Sequence, residues 1–374
     1  VRHFEALTGN FDIVHYSLSN GPFNVSDSVL RMNANDVLFR REGALGRITL
    51  NRPKALNALT LEMCAAMLEQ LQAWADDPAI RVVVIDAAPG RAFCAGGDIR
   101  AVYDGVKRGD GSAAQFFATE YRLNAAIRRY PKLYIPMMDG IAMGGATGIS
   151  VHGPFRVAGE NTAYAMPETA IGLIPDVGGT YVLPLMPGEI GMYLGLTGTR
   201  ISLADILHTG IATHFVPAER FGDVRERLAA GEAPGAVLSH LAENVGAAPL
   251  AEKRAAIDRV FSKASVEAIL EALNSEGAWG QETAALLATR SPIGLKLTYR
   301  ALRQGRGIDF AACQQMEYRV MTRAVEAHDF HEGVRAALID KDQRPRWQPA
   351  NLREVSDADV EFYFAPLDGH EFVT

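Results

Sequence analysis

"RVVVIDAAPGRAFCAGGDIR", residues 81–100, decides the fold. Val82, Val83, Val84 and Ile85 run without a polar break. That pattern predicts a strand buried on both faces, as in a parallel sheet. A strand buried in that way must be followed by a turn and a covering helix. Here the turn holds Gly96 and Gly97, and a helical pattern begins after Asp98. Two readings of the turn stand. In one, Gly96 and Gly97 make a tight bend and Asp98 caps the helix. In the other, the missing side chains let backbone N–H groups approach a ligand.

Further strand-like runs lie at 47–51, 132–140, 155–160 and 162–166. Helical spacing appears between the first three: Leu61, Cys64, Leu68, Leu71 and Trp74, then Phe117, Leu123, Ala126 and Ile127. Alternation of strand and helix predicts an α/β fold with parallel pairing. Two hairpin-like pairs, 37–40 with 46–50 and 155–158 with 162–166, interrupt it, which a plain doubly wound sheet would not show. After about residue 200 helical segments take over, with "GEAPG" and "GAAPL" as breaks. The expected organisation is an extension over 1–36, an α/β core over 37–230 and a helical region over 231–374.

Bulk composition removes several classes. The 374 residues are 48% hydrophobic, and 37 Lys plus Arg against 44 Asp plus Glu give a formal charge of −7. No segment combines clustered basic residues with aromatics, so a nucleic-acid partner is not expected. Cys64, Cys94 and Cys313 are few, odd in number and far apart, which fits a reducing compartment and neither a disulfide framework nor a zinc site. No apolar run is long enough for a membrane helix, and the first residues lack a leader signature. A cytoplasmic protein with no membrane partner, no metal and no separate cofactor is expected.

Three further segments carry chemistry. "DGIAMGGATGISVHG" (139–153) is Gly-rich but lacks the Lys-Ser/Thr of a P-loop. A helix opening at Gly144 and Gly145 would offer free N–H groups to an oxyanion; close helix–sheet packing through small residues explains the same glycines. "MPETAIGLIPDVGG" (166–179) sets Glu168 and Asp176 in an otherwise almost uncharged stretch. Two acids in an apolar pocket push their pKa values up and apart, which is how one site obtains an acid and a base. Alternatively, Glu168 ends a strand and Asp176 caps a helix starting near Gly178. In "FFATEYRLNAAI" (116–127), Glu120 shares a helical face with Phe117, Asn124 and Ile127 and sits at the stripe's edge or faces a cavity. His152 reads as a core histidine, and His328 and His331 as structural or surface residues. No GxSxG elbow is present.

Together these motifs resemble the crotonase (enoyl-CoA hydratase/isomerase) superfamily, through "RITLNRPKALNAL" (47–59), "AFCAGGDI" (92–99), "GGATG" (144–148) and "PETAIGLIPDVGGTYVLP" (167–184). The resemblance implies a spiral of ββα turns followed by helices, and an acyl-CoA thioester as substrate. By that resemblance the N–H groups of Gly97 and Gly145 hold the thioester oxygen, while Ala95, Gly96 and Asp98 lie along CoA. Hydratases of the family carry a loop glutamate where this chain has Gly148, and usually glycine where it has Asp176. The pair Glu168 and Asp176, and the segment "DFHEGVRAALIDKDQRPRW" (329–347), are instead similar to the 3-hydroxyisobutyryl-CoA hydrolase branch. That branch implies catalytic roles for Glu168 and Asp176. It also implies substrate contact at Glu120 and Gly145, and allows a homo-oligomer. Hydration or isomerisation by the same superfamily is the competing activity.

Overall fold

The computed structural model describes residues 36–369 and 371–373. The extension read over 1–36 therefore lies, apart from Asp36, outside the described residues. Among the described residues nine strands make two sheets. The larger has the order β1 (Val37–Glu42), β2 (Leu45–Leu50), β3 (Val82–Ala87), β5 (Leu133–Met138), β7 (Val157–Ala158), β9 (His214–Phe215). The smaller contains β4 (Ala92–Cys94), β6 (Ile141–Met143) and β8 (Ala163–Ala165). Among the strands of the described residues, β1 and β2 pair antiparallel and the other neighbouring strands pair parallel.

After the β1–β2 hairpin and its helix, the chain repeatedly gives one strand to the large sheet, one to the small sheet and then helix. β3 and β4 lead to α2 (Ile99–Arg108) and α3 (Ser112–Arg128), and β5 and β6 lead to α4 (Ala146–Ser150). This is the expected spiral of ββα turns. The hairpin read at 37–50 forms, with Val37 opposite Leu50. The one read at 155–166 does not. β7 pairs with β5 and β9, and β8 with β6. Gly159 N bonds to Met138 O and Asn161 N to Asp139, so the connection crosses between sheets instead of folding back.

Burial on both faces explains the unbroken run at 82–85. Val83 and Ile85 point into the main core with α1 (Leu61–Asp76) and α3, while Val82 and Val84 face a second cluster. α8 (Phe221–Ala229) and α9 (Pro234–Leu241) cover that second face through Val224, Leu228, Val237 and Leu238. Between β8 and β9 in the chain come α5 (Gly179–Val182), α6 (Ile190–Thr197) and α7 (Leu203–His208). Beyond α9 lie α10 (Pro249–Phe261), α11 (Val266–Leu273), α12 (Gly277–Leu287) and α13 (Pro292–Gly305). The last helices are α14 (Phe310–Ala324), α15 (His328–Val334) and α16 (Asp357–Phe364). Ile257, Leu297, Val320 and Phe330 belong to the same apolar cluster as the α1 and α3 residues. The change of composition near residue 230 thus marks a change of secondary structure within one compact unit, 34–374.

Candidate active site

The turn after β4 is built by the segment before α1. Ala95 N bonds to Leu56 O at 3.0 Å, Leu59 N to Gly96 O at 2.8 Å and Asp98 N to Leu59 O at 2.8 Å. Arg52 adds a 2.8 Å ion pair to Asp98. "RPKALNAL" is thus the outer wall of the glycine turn, which is why the two motifs occur together. Asp98 caps α2 by accepting from Ala101 N at 3.1 Å, as the local reading expects, and also lines the cleft.

β4 and β6 are neighbours, so the turns that follow them meet. A Cβ added at Gly145 would stand 2.9 Å from Gly97 N and 2.7 Å from Glu120 Oε1. The N–H groups of Gly97 and Gly145 donate to no group among the described residues, and both residues line a cleft of about 450 Å³. The close packing read from the glycines is present. The backbones pack closely, and the same packing leaves two donors side by side at a cavity. Gly148 lies behind them, where an added Cβ would be 2.3 Å from Asn124 Nδ2.

Three acids face the same cleft: Glu120 from α3, Glu168 at the head of the 3₁₀ turn Glu168–Ile171, and Asp176. All are buried, with relative exposures of 2%, 7% and 5%. Glu120 Oε1 and Glu168 Oε2 have no hydrogen-bond partner among the described residues. Burial raises the Glu168 pKa well above the carboxylate range, and the charge of Asp176 adds to it. Glu120 is raised likewise, by burial and then by Asp176 and Glu168. Asp176 is pushed by burial only to about 6, because the Tyr121 hydroxyl donates to its Oδ2 at 2.7 Å. The spread expected of paired acids is thus present, with the Tyr121 phenol and a backbone hydrogen bond offsetting the burial of Asp176.

The cap reading of Asp176 fails. Its side chain receives Tyr121, whereas the start of α5 is capped by Glu317 of α14. Sequence reasoning missed Glu317, although the signal was there. "CQQMEYRV" puts it among Cys313, Met316 and Val320 on an apolar stripe, the same pattern as Glu120. Nothing local marks Tyr121, because its role rests on a bond to Asp176, 55 residues further along the chain. Ala337 and Leu338 also reach the cleft, from the segment similar to the hydrolase branch.

His152 is buried beside Phe310, and burial lowers its pKa to about 3, so it stays neutral. Its ring nitrogens lack partners among the described residues. His328 bonds to Asp329 and His331 packs on Tyr103, and neither is among the residues lining the cleft. Among the described residues no group of three His, Cys, Asp or Glu is arranged to hold a metal ion.

The enoyl-CoA hydratase/isomerase family profile matches residues 45–364. The chain is 47% identical over 343 residues to a protein of Xenopus tropicalis named "3-hydroxyisobutyryl-CoA hydrolase, mitochondrial", covering 89% of each. It is 44% identical to the protein of that name from Homo sapiens, again over 89% of each. Among solved structures, a carnitinyl-CoA dehydratase from Mycobacterium thermoresistibile is similar at a TM-score of 0.86 and 44% identity, covering 90% of this chain and 98% of that one. An enoyl-CoA hydratase from Rhodobacter sphaeroides gives 0.83 and 38%, covering 91% and 100%. With its spiral of ββα turns and its paired glycine turns, this chain belongs to the enoyl-CoA hydratase/isomerase family.

Proposed function

We propose that the chain hydrolyses a short 3-hydroxyacyl-CoA thioester, 3-hydroxyisobutyryl-CoA first among them, to the hydroxy acid and CoA, as a step of valine breakdown. One observation carries the reading: two buried acids, Glu168 and Asp176, face the cleft lined by Gly97 and Gly145, and position 148 holds no acid. The printed names of the relatives support it. 3-Hydroxypropionyl-CoA, one methyl smaller, is a second substrate, since a pocket separates such pairs by only about 1–3 kcal/mol.

In this reading Asp176, the least raised of the three acids, is the one left ionised, and it accepts the proton that Glu168 gives up as Glu168 attacks. The Glu168 carboxylate attacks the thioester carbonyl, and the Gly97 and Gly145 N–H groups hold the oxyanion. Collapse breaks the C–S bond, the CoA sulfur takes the proton from Asp176, and a mixed anhydride remains on Glu168. Water, losing a proton to Asp176, cleaves the anhydride to product. Glu120 contacts the acyl group, and Ala95, Gly96 and Asp98 flank CoA. Direct attack by a water activated by Glu168 is the variant of this scheme. Hydroxylamine present during turnover traps a hydroxamate on Glu168 only on the anhydride route, whereas acyl hydroxamate also forms directly from the thioester.

Hydration is the second reading, favoured by the likeness to a carnitinyl-CoA dehydratase and an enoyl-CoA hydratase. It lacks a loop acid at Gly148. A thiol reagent and enoyl absorbance, followed on a panel of short acyl-CoA esters, separate the two. Free CoA from 3-hydroxyisobutyryl-CoA supports hydrolysis; an absorbance change without thiol overturns it. Among the described residues no helix is long and apolar enough to cross a membrane. The relatives are named as mitochondrial, so the cytoplasmic expectation draws no support from them; three buried free cysteines support a reducing compartment.

A further inference from the structure

We propose that one face of α14, carrying Gln314 and Glu317, positions Asp176: Glu317 holds the turn after it, and Gln314 holds the helix bearing its hydrogen-bond donor. The proposal rests on hydrolysis at Asp176 and deepens it.

The turn after Asp176 is one the chain does not adopt freely. Val177 has φ +53° and Gly178 φ +84°. Glycine tolerates that region, but a β-branched residue there is disfavoured and persists only where its surroundings impose it. Gly179 N closes the turn onto Asp176 O at 2.7 Å. This leaves the N–H groups of Gly178 and Thr180 pointing into protein. Glu317 takes both. Its Oε2 accepts from Gly178 N at 2.8 Å, and its Oε1 from Thr180 N at 3.0 Å and Thr180 Oγ1 at 2.5 Å.

Three residues back on the same helix, Gln314 Nε2 donates to Tyr121 O at 3.1 Å. Tyr121 is the donor to Asp176 Oδ2. Residues three apart share a helix face, so one face grips Asp176 from both sides: its backbone through Glu317, its carboxylate through Tyr121. Both side chains are fully buried. A position serving only packing suits an apolar side chain, as at Met316 and Met321 nearby. Burial drives the Glu317 pKa up to about 8, helped by the charge of Asp176, so the acid is held against an unfavourable setting. Neither residue is among those lining the cleft. They are positioning residues, acting through Asp176.

The test is a double-mutant cycle on the full chain with Glu317→Gln, Asp176→Asn and the pair, reading kcat and KM for 3-hydroxyisobutyryl-CoA by thiol release, with a thermal melt of each. Gln cannot accept from both N–H groups, so the turn loosens. Glu317→Gln should lower kcat about 10–100-fold with KM changed less than about threefold, since small misplacement of a reacting group costs that much. In the Asp176→Asn background the same change should alter kcat less than about twofold. An equal loss in both backgrounds, or a rise in KM alone, overturns the positioning role. No hydrolysis by the parent, or full activity of Asp176→Asn, overturns the hydrolase reading and this proposal with it. If Glu317→Gln does not fold, Gln314→Leu goes through the same cycle, with non-additivity expected and additivity contradicting.

Discussion

Tyr121 donates its hydroxyl to Asp176 Oδ2 at 2.7 Å, and where burial pushes the Asp176 pKa up this bond, with a backbone hydrogen bond, limits the rise to about 6. A donor to a carboxylate favours the charged form. Removing it must raise the pKa. Tyr121→Phe should therefore move the acid limb of the kcat/KM profile to higher pH, with turnover at neutral pH reduced. An acid limb left in place would show that Asp176 ionisation is not what the profile reports.

The buried acids also set how stability depends on pH. Glu120, Glu168, Asp176 and Glu317 all have raised folded-state pKa values. Between the ordinary carboxylate range and those values the folded chain binds more protons than the unfolded one, so these groups lower stability as pH rises. Their loss begins near pH 4, passes about 6 for Asp176 and reaches about 8 for Glu317. Glu168→Gln removes one such group and should melt higher than the parent at pH 8, with the gap closing toward pH 4. The opposite order in calorimetry would count against a raised Glu168.

Gly145 has no room for a side chain, its added Cβ falling 2.7 Å from Glu120 Oε1 and 2.9 Å from Gly97 N. Gly145→Ala should spread the two N–H donors and cost about 10²–10³ in kcat, the usual effect of losing one oxyanion donor. A folded variant with near-parent turnover would move the oxyanion site elsewhere.

Gly148 and Asn124 are a matched pair, with an added Cβ 2.3 Å from Asn124 Nδ2. Gly148→Glu alone should be destabilised by about 1–3 kcal/mol through overpacking. With Asn124→Ala added, part of that loss should return in a denaturant melt. If the second change brings no recovery, Asn124 is not what fills the space.

The fold was legible where burial writes itself into sequence. The run Val82–Ile85 announces a two-faced strand, and "AFCAGGDI" with "GGATG" announces the paired turns. The hairpin at 155–166 was misread because two strands close in sequence join different sheets, and no local signal distinguishes that. Glu120, Glu168 and Asp176 were legible as acids in apolar surroundings. The roles of Tyr121 and Glu317 were not, because each depends on a contact 55 or 137–139 residues away in the chain. Local pattern reasoning gave the cap to Asp176, and tertiary packing gives it to Glu317.

The central claim is thioester hydrolysis through Glu168, and CoA release by the parent and Glu168→Gln at saturating 3-hydroxyisobutyryl-CoA tests it most directly. The account predicts stoichiometric thiol release by the parent, without enoyl formation, and a fall of about 10²–10⁴ in the variant. Undiminished CoA release by a folded Glu168→Gln protein would contradict it.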